Sequence, residues 1–159
     1  MDVLIFCGLQ AAGKSTFYRE HFLSTHVLIS KDLMPNTARP ARRQAELLHL
    51  ALQAQHSVVI DNTNPTLAER VPLIEIAHNY QARVTGYYFV ASAQQALERN
   101  RQRTGKANIP AVAIYSTAAK LIPPTYAEGF DTLYYVHIAE NSAATAPAWR
   151  IEEIAHEEQ

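Results

Sequence analysis

The run of the sequence with the clearest chemical meaning is Gly8-Leu9-Gln10-Ala11-Ala12-Gly13-Lys14-Ser15-Thr16. Its spacing, G-x-x-x-x-G-K-[ST], is typical of a phosphate-binding loop, where two glycines let backbone N–H groups approach phosphate oxygens. Lys14 would reach the β- and γ-phosphates, and the Ser15 hydroxyl would ligate Mg²⁺. The plainer alternative is a glycine turn that carries a lysine. We predict that ATP is bound by Gly8, Gln10, Ala11, Ala12, Gly13, Lys14, Ser15 and Thr16.

The residues that flank this run support the first interpretation. Val3 to Cys7 is an apolar run of strand type, and Ser15 to Phe22 is typical of the start of a helix. A phosphate-binding loop requires this order of strand, loop and helix. The N-terminus of the helix also adds the positive end of its dipole to the site.

Two carboxylates follow predicted strands. Asp32 follows the strand Val27–Ser30, and Asp61 ends the strand Ser57–Asp61. Ligands of open α/β sheets bind at the carboxyl ends of strands, so we expect both carboxylates to face the loop. Asp32 is the candidate for the base that takes the proton from an acceptor hydroxyl. Asp61 would hold Mg²⁺ through water or orient the acceptor. The alternatives are a helix cap or a surface loop carboxylate at Asp32 and an Asx-turn at Asp61.

A first group of arginines ends a predicted helix and enters a loop with Gly105 and Lys106. Arg99, Arg101 and Arg103 are two residues apart, so they point in different directions and not all of them serve one site. We predict a lid whose Arg101 and Arg103 act on the transferred phosphoryl group. The alternative is a solvated basic helix end that the helix dipole favours.

A second group, Arg39, Arg42 and Arg43, comes shortly after Asp32. It is placed to grip a phosphate of the acceptor, and a solvated helix start is an almost equal alternative. Arg70 would either reach an acceptor phosphate or face water. The seven histidines lack any metal-ligand spacing such as H-E-x-x-H.

Strands alternate with helices along the sequence without an internal repeat. Predicted strands near residues 1–7, 27–30, 57–61, 82–90 and 132–138 are separated by helical stretches. This alternation predicts an α/β fold, a parallel sheet with helices on both faces. We expect one kinase domain over residues 1–138 and a tail over 139–159. The apolar residues Ile151, Ile154 and Ala155 would also be compatible with one short helix in that tail.

The composition excludes several classes of protein. With 159 residues, 48% of them hydrophobic, the chain is long enough for one domain with a full core. The net charge of −1 gives no strong field for nucleic acid, and the single Cys7 excludes an internal disulfide. We expect neither a signal peptide nor a membrane span, and therefore a cytoplasmic protein. The oligomeric state is not predicted.

Several later residues resemble the kinase domain of the polynucleotide 5′-hydroxyl kinases. The resemblance extends over about residues 2–138. Its specific part is a strand with its turn, the lid arginines and several later positions: Val58–Pro65, Arg101–Arg103, Asn108–Pro110, Tyr115, Pro124 and Ala127–Phe130. The resemblance implies a P-loop kinase fold. That fold is a three-layer sandwich whose five parallel strands stand in the order 2-3-1-4-5.

The same resemblance implies roles for individual residues. Lys14 and Ser15 would hold ATP and Mg²⁺, and Asp32 would be the general base. The acceptor would be placed by Asp61, Asn64 and Arg70, and the lid arginine would be Arg101 or Arg103. One position departs from the pattern. Pro35 stands where the phage member of the family has an arginine for the acceptor's 3′ phosphate, and Arg39 or Arg42 is the candidate replacement.

These observations favour an ATP-dependent phosphotransferase. The preferred acceptor is the 5′-hydroxyl of a polynucleotide end, as the resemblance implies. A kinase for a nucleoside, a sugar or an antibiotic is the first alternative, which Pro35 and the low net charge favour. The second alternative is a nucleotide-binding module with little turnover.

Overall fold

The structure is a computed structural model that describes residues 1–34, 36–105, 108–139 and 148–156. Its strands are β1 (Asp2–Gly8), β2 (Val27–Ile29), β3 (Val58–Asp61), β4 (Arg83–Phe89), β5 (Thr132–Ile138) and β6 (Trp149–Ile154). Its α-helices are α1 (Lys14–His21), α2 (Pro40–Gln53), α3 (Leu67–Asn79), α4 (Ala93–Arg101) and α5 (Ala111–Lys120). Among the described residues, 3-10 turns span Lys31–Leu33 and Tyr126–Glu128.

The strands form one six-stranded sheet in the order β2-β3-β1-β4-β5-β6. The first five strands run parallel, and β6 pairs with β5 in the antiparallel direction. The α/β prediction is therefore confirmed, whereas the prediction of a purely parallel sheet of five strands is wrong. The sixth strand was missed because the expected sheet ended at residue 138.

The sequence allowed for a short helix in the tail, but part of that segment forms a strand. Trp149–Ile154 is a strand that pairs with β5 from Leu133↔Ile154 to Ile138↔Trp149. The Ala139 N–H donates to the Ala148 carbonyl at 2.8 Å, and this bond extends the pair by one step beyond Ile138 and Trp149. The division of the chain at residue 138 stays a prediction, and residues 140–147 of the tail lie outside the described residues.

The buried strand β1 explains how two layers of helices are held. Val3 and Ile5 point into a core on one side of the sheet, shared with Leu48 of α2 and Ile74 of α3. The alternate residues Leu4 and Phe6 point to the other side, where they meet Phe17 and Tyr18 of α1. A strand covered on both faces is apolar at every position, as the sequence of β1 is.

The carboxyl ends of β1, β2 and β3 meet at one edge of the sheet. In the parallel register Phe6 lies beside Asp61, two residues before Gly8, and Ile29 lies beside Ile60. This edge therefore collects the loop after β1 and the polar residues after β2 and β3. In the described part of the chain, none of the helices is long and apolar enough to cross a membrane.

Candidate active site

The loop from Gly8 to Gly13 requires glycine at both ends for stereochemical reasons. Gly8 and Gly13 have φ values of 150° and 94°. A Cβ atom on Gly8 would lie 2.8 Å from the Phe89 carbonyl oxygen, and one on Gly13 would lie 2.9 Å from Trp149 Cη2. Gly13 is also the N-cap of α1. The loop therefore leads its backbone directly into a helix N-terminus, a site suited to phosphate.

Lys14 lies against the loop that it follows. Its ammonium group donates to the carbonyl oxygens of Gly8 at 3.0 Å and Leu9 at 2.5 Å, and its side chain is buried. Burial lowers the pKa of Lys14 to about 8, and the nearby charge of Asp61 opposes this shift. The structure thus holds a desolvated cation in the phosphate-binding loop, where its interaction with an anion is stronger than in water.

Ser15 and Asp61 join the loop to the end of β3. The Ser15 hydroxyl donates to Asp61 Oδ2 at 2.8 Å. Burial raises the pKa of Asp61, and the charge of Lys14 and the Ser15 hydrogen bond oppose the shift. Hydroxyl and carboxylate oxygens are ligands that Mg²⁺ accepts, and it commonly takes its remaining ligands from phosphate and water. This pair therefore fits a magnesium ion carried by a nucleotide.

Asp32 lines the same cleft as the loop. The cleft has a volume of about 640 Å³, and its lining includes Lys14, Ser15, Asp32, Asp61 and Arg103. The backbone holds Asp32 there, because its N–H donates to the Ser30 hydroxyl at 3.3 Å at the start of a 3-10 turn. A carboxylate that is exposed at the cleft and close to the loop is placed to accept a proton from a bound alcohol.

Arg103 reaches the cleft because the ends of its loop are joined. The Asn100 side chain donates to the Ile109 carbonyl at 2.7 Å and accepts from the Ile109 N–H at 3.0 Å. The Asn108 amide donates to the carbonyls of Asn100 at 2.8 Å and Arg103 at 3.2 Å. These bonds fix the base of the predicted lid beside the cleft, and Lys106 of that lid lies outside the described residues.

The AAA_33 family model, described as an AAA domain, matches residues 3–122. The chain belongs to the AAA_33 family. This AAA_33 chain is also 26% identical, over 136 residues, to the bifunctional polynucleotide phosphatase/kinase of Schizosaccharomyces pombe. The matched region covers 83% of the chain and 32% of that relative, so the chain spans about a third of the length of the curated relative. The resemblance inferred from the sequence is therefore confirmed.

Solved structures with the same fold include proteins named as different kinds of kinase. A fungal RNA kinase superposes with a TM-score of 0.66 at 16% identity, and the match covers 90% of this chain and 40% of that one. A gluconokinase from Sinorhizobium meliloti 1021 superposes with a TM-score of 0.65 at 18% identity, with 87% and 83% of the two chains covered. At these identities the superpositions establish that this AAA_33 chain has the P-loop kinase fold.

Arg70 does not reach the cleft of this AAA_33 domain. Its guanidinium is completely buried and forms a two-pronged ion pair with Glu128, with Nε–Oε1 at 2.6 Å and Nη2–Oε2 at 3.1 Å. Its remaining nitrogen donates to the carbonyls of Asn64 at 3.0 Å and Ile122 at 2.8 Å. Arg70 is therefore placed to hold the turn after β3, and we do not propose it as an acceptor ligand.

Asn64 lies at the cleft but serves the same turn. It lines the cleft, is buried, and donates from its side-chain amide to the Phe6 carbonyl at 2.7 Å. Its φ of 41° is in the left-handed region that asparagine tolerates. Asn64 thus fastens the turn to β1, and a direct contact with an acceptor stays a prediction.

The other predicted arginines stand outside the cleft lining. Arg101 is exposed and pairs with Glu98 at 2.9 Å, one helical turn earlier. Arg42 is exposed and pairs with Glu46 at 3.5 Å, and Arg39 is exposed at the N-cap of α2. Thr16 is also outside the lining, whereas Gln10 and Ala11 belong to it. Pro35 lies outside the described residues, so its effect on an acceptor phosphate is untested.

Asn62 is a site residue that we did not predict. Its side-chain oxygen accepts from the Lys31 N–H at 2.8 Å, and its amide donates to the buried Gln44 side chain at 2.5 Å. It therefore ties the turn that carries Asp32 to β3 and α2. Its place directly after Asp61 at a strand end was an available signal, which we interpreted only as part of a turn.

The different surroundings of the two lid arginines lead to a prediction. We expect Arg103→Ala to lower kcat by about 10²-fold, because a cation that lines the cleft stabilises charge on the transferred phosphoryl group. Arg101→Ala is the matched control, two residues away and paired on the surface, and it should change kcat less than about twofold. Steady-state kinetics at saturating ATP distinguish them. Equal losses in both variants would contradict the placement of Arg103.

Proposed function

We propose that the chain transfers the γ-phosphate of ATP to an alcohol, with the 5′-hydroxyl of a polynucleotide end as the favoured acceptor. The observation that carries the proposal is the shared cleft. Lys14, the Ser15–Asp61 pair and Asp32 all border one space of about 640 Å³ at the carboxyl ends of the strands. A phosphoryl-transfer site requires a phosphate-binding loop, a metal position and a base within reach of each other.

Each residue then has a defined task. The loop amides and Lys14 bind the β- and γ-phosphates, and Ser15 with Asp61 holds the Mg²⁺ that accompanies the nucleotide. Asp32 accepts the proton of the acceptor hydroxyl as the hydroxyl oxygen attacks the γ-phosphorus. The bond from the γ-phosphorus to the β–γ bridging oxygen breaks, and ADP leaves with that oxygen. Arg103 stabilises negative charge on the transferred group. When bound, Mg²⁺ would neutralise part of the negative charge of the triphosphate.

The polynucleotide acceptor is supported by particular residues. Val58–Pro65 and Ala127–Phe130 have the pattern that we compared with polynucleotide 5′-hydroxyl kinases, and the curated relative is named a polynucleotide phosphatase/kinase. The turn of the first segment, Asn62 to Asn64, lies in the lining of the cleft. A strand end that offers amide and hydroxyl groups beside Asp32 suits the hydroxyl of a nucleotide end.

A small hydroxylated molecule is the second candidate acceptor. Among the described residues, and beyond those assigned to ATP, the charged groups in the cleft lining are Lys31, Asp32 and Glu69. Two carboxylates and one lysine do not favour a polyanion, and Arg39 and Arg42 lie outside this lining. This charge balance suits a neutral polyol better than a phosphate-bearing strand.

A transfer assay tests the proposal. The chain is incubated with labelled ATP and Mg²⁺, and with either a 5′-hydroxyl oligonucleotide or a panel of nucleosides and sugars. We expect label on the oligonucleotide 5′ end, with an affinity that falls steeply with salt because counterions are released. Label on a small alcohol, with weak salt dependence, would replace the favoured acceptor by the second one. Absence of transfer to every acceptor would overturn the proposed function.

A further inference from the structure

Trp149, in the strand that the sequence did not predict, contacts the helix that begins at the phosphate-binding loop. A Cβ atom on Gly13 would lie 2.9 Å from Cη2 and 3.3 Å from Cζ3 of its indole ring. The ring also packs edge-on against Phe17, with centroids 5.0 Å apart. Its Nε1 donates to the Glu20 carboxylate at 2.6 Å. One side chain of β6 therefore contacts α1 near both of its ends.

The spacing of these contacts shows which face of α1 is covered. Gly13, Phe17 and Glu20 are separated by four and three residues, so they lie along one face of the helix. Lys14 and Ser15 are the first two residues of the same helix. An indole that lies along this face limits rotation and sliding of α1 relative to the sheet.

The strand β6 holds the indole in place. Trp149 pairs with Ile138 at the end of β5, and the Ala139–Ala148 hydrogen bond of 2.8 Å closes the pair there. Ile138 also faces Gly13, since its Cδ1 atom would lie 3.1 Å from a Cβ on that glycine. The loop thus packs against the end of the β5–β6 pair, and neither Ile138 nor Trp149 belongs to the cleft lining.

We propose that Trp149 is a positioning residue for the nucleotide: by fixing α1 it fixes the N–H groups of Gly13, Lys14 and Ser15 that receive the phosphates. The inference rests on the proposed function only in taking the loop as the ATP site. The residues that pack behind a binding loop hold its hydrogen-bond donors in the bound arrangement. When they are removed, ligand binding must order those donors, and this cost in entropy lowers the affinity. Acceptor binding, by contrast, depends on residues after β2 and β3 that Trp149 does not contact.

The variants Trp149→Ala and Trp149→Phe test this proposal. We expect Trp149→Ala to raise the Kd for Mg-ATP by about tenfold, the scale found when a group that supports a site is removed, while the acceptor KM stays unchanged. Trp149→Phe retains a ring beside Phe17 and should recover part of the affinity. Ile151→Ala is the matched control, since Ile151 is on the same strand and is 45% exposed. Calorimetry gives Kd, and thermal unfolding shows that each variant is folded.

A second measurement needs no variant. Trp149 is the only tryptophan of the chain, so the fluorescence of the wild-type protein reports on this position alone. Titration with Mg-ATP or Mg-ADP should change its emission, whereas titration with acceptor should not. An unchanged emission on nucleotide binding, or an unchanged Kd in a folded Trp149→Ala variant, would overturn the inference. ATP binding without transfer would count against the proposed function alone, and absence of ATP binding would overturn both.

Discussion

An Asp32→Asn variant should lose phosphoryl transfer by about 10³-fold, within the range attributed to general acid–base catalysis. The amide retains the size of the carboxylate but cannot accept the proton of an attacking hydroxyl. The Kd for Mg-ATP should stay within about twofold of the wild type, because the groups that hold the triphosphate remain in place. Single-turnover transfer with saturating ATP and acceptor measures the first quantity, and calorimetry measures the second.

Asp61→Asn is the matched control for this experiment. Asp61 lines the same cleft but is bonded to Ser15 at 2.8 Å, so its loss should weaken binding of Mg-ATP as well as transfer. A loss of ATP binding in Asp32→Asn would contradict the separate role of Asp32. Slow hydrolysis that is the same in the wild type and in Asp32→Asn would favour the nucleotide-binding module over the enzyme.

An Arg70→Leu variant should lower the free energy of unfolding by roughly 3–5 kcal/mol, the cost of breaking a buried ion pair by removing one partner. The Glu128 carboxylate, buried with Arg70, would be left with its charge uncompensated. The carbonyls of Asn64 and Ile122 would also lose the hydrogen bonds that Arg70 donates to them. Urea unfolding of the wild type and the variant measures the difference.

Two further variants make this prediction specific. Replacing both partners, in Arg70→Leu/Glu128→Leu, should recover a large part of the lost free energy because no charge stays buried without a partner. Arg42→Ala removes an exposed ion pair and should change the free energy by less than about 1 kcal/mol. If Arg70→Leu instead unfolded like the wild type and only raised the acceptor KM, Arg70 would be an acceptor ligand, as the family resemblance implied.

The contrast between Lys14 and Arg70 shows what the sequence could predict. The loop around Lys14 is a local structure whose glycines, lysine and serine are contiguous, so its geometry follows from neighbouring residues. Arg70 lies on a helix next to a polar turn, and its position there is consistent with either a ligand or a surface residue. Its partner Glu128 is 58 residues away, and only the folded chain brings the two together.

The conformation of the tail could not be predicted from the sequence for a similar reason. The segment Trp149-Arg150-Ile151-Glu152-Glu153-Ile154 has apolar residues at spacings of two and three, which fit neither a strand nor a helix well. Its conformation is decided by the open edge of β5, which offers hydrogen-bond partners to whatever segment reaches it. Asp32 and Asp61 could be placed in advance because both follow strands, and parallel strands end at a common edge.

The direction of β6 has a consequence for the placement of labels. The strand starts beside the phosphate-binding loop at Trp149 and runs toward the opposite edge of the sheet, where β1 also begins. A label attached at Asp2 or at His156 would therefore lie at the rim opposite the cleft. Such a label should leave entry of a long substrate unobstructed, so these two positions suit immobilisation or a fluorescent reporter.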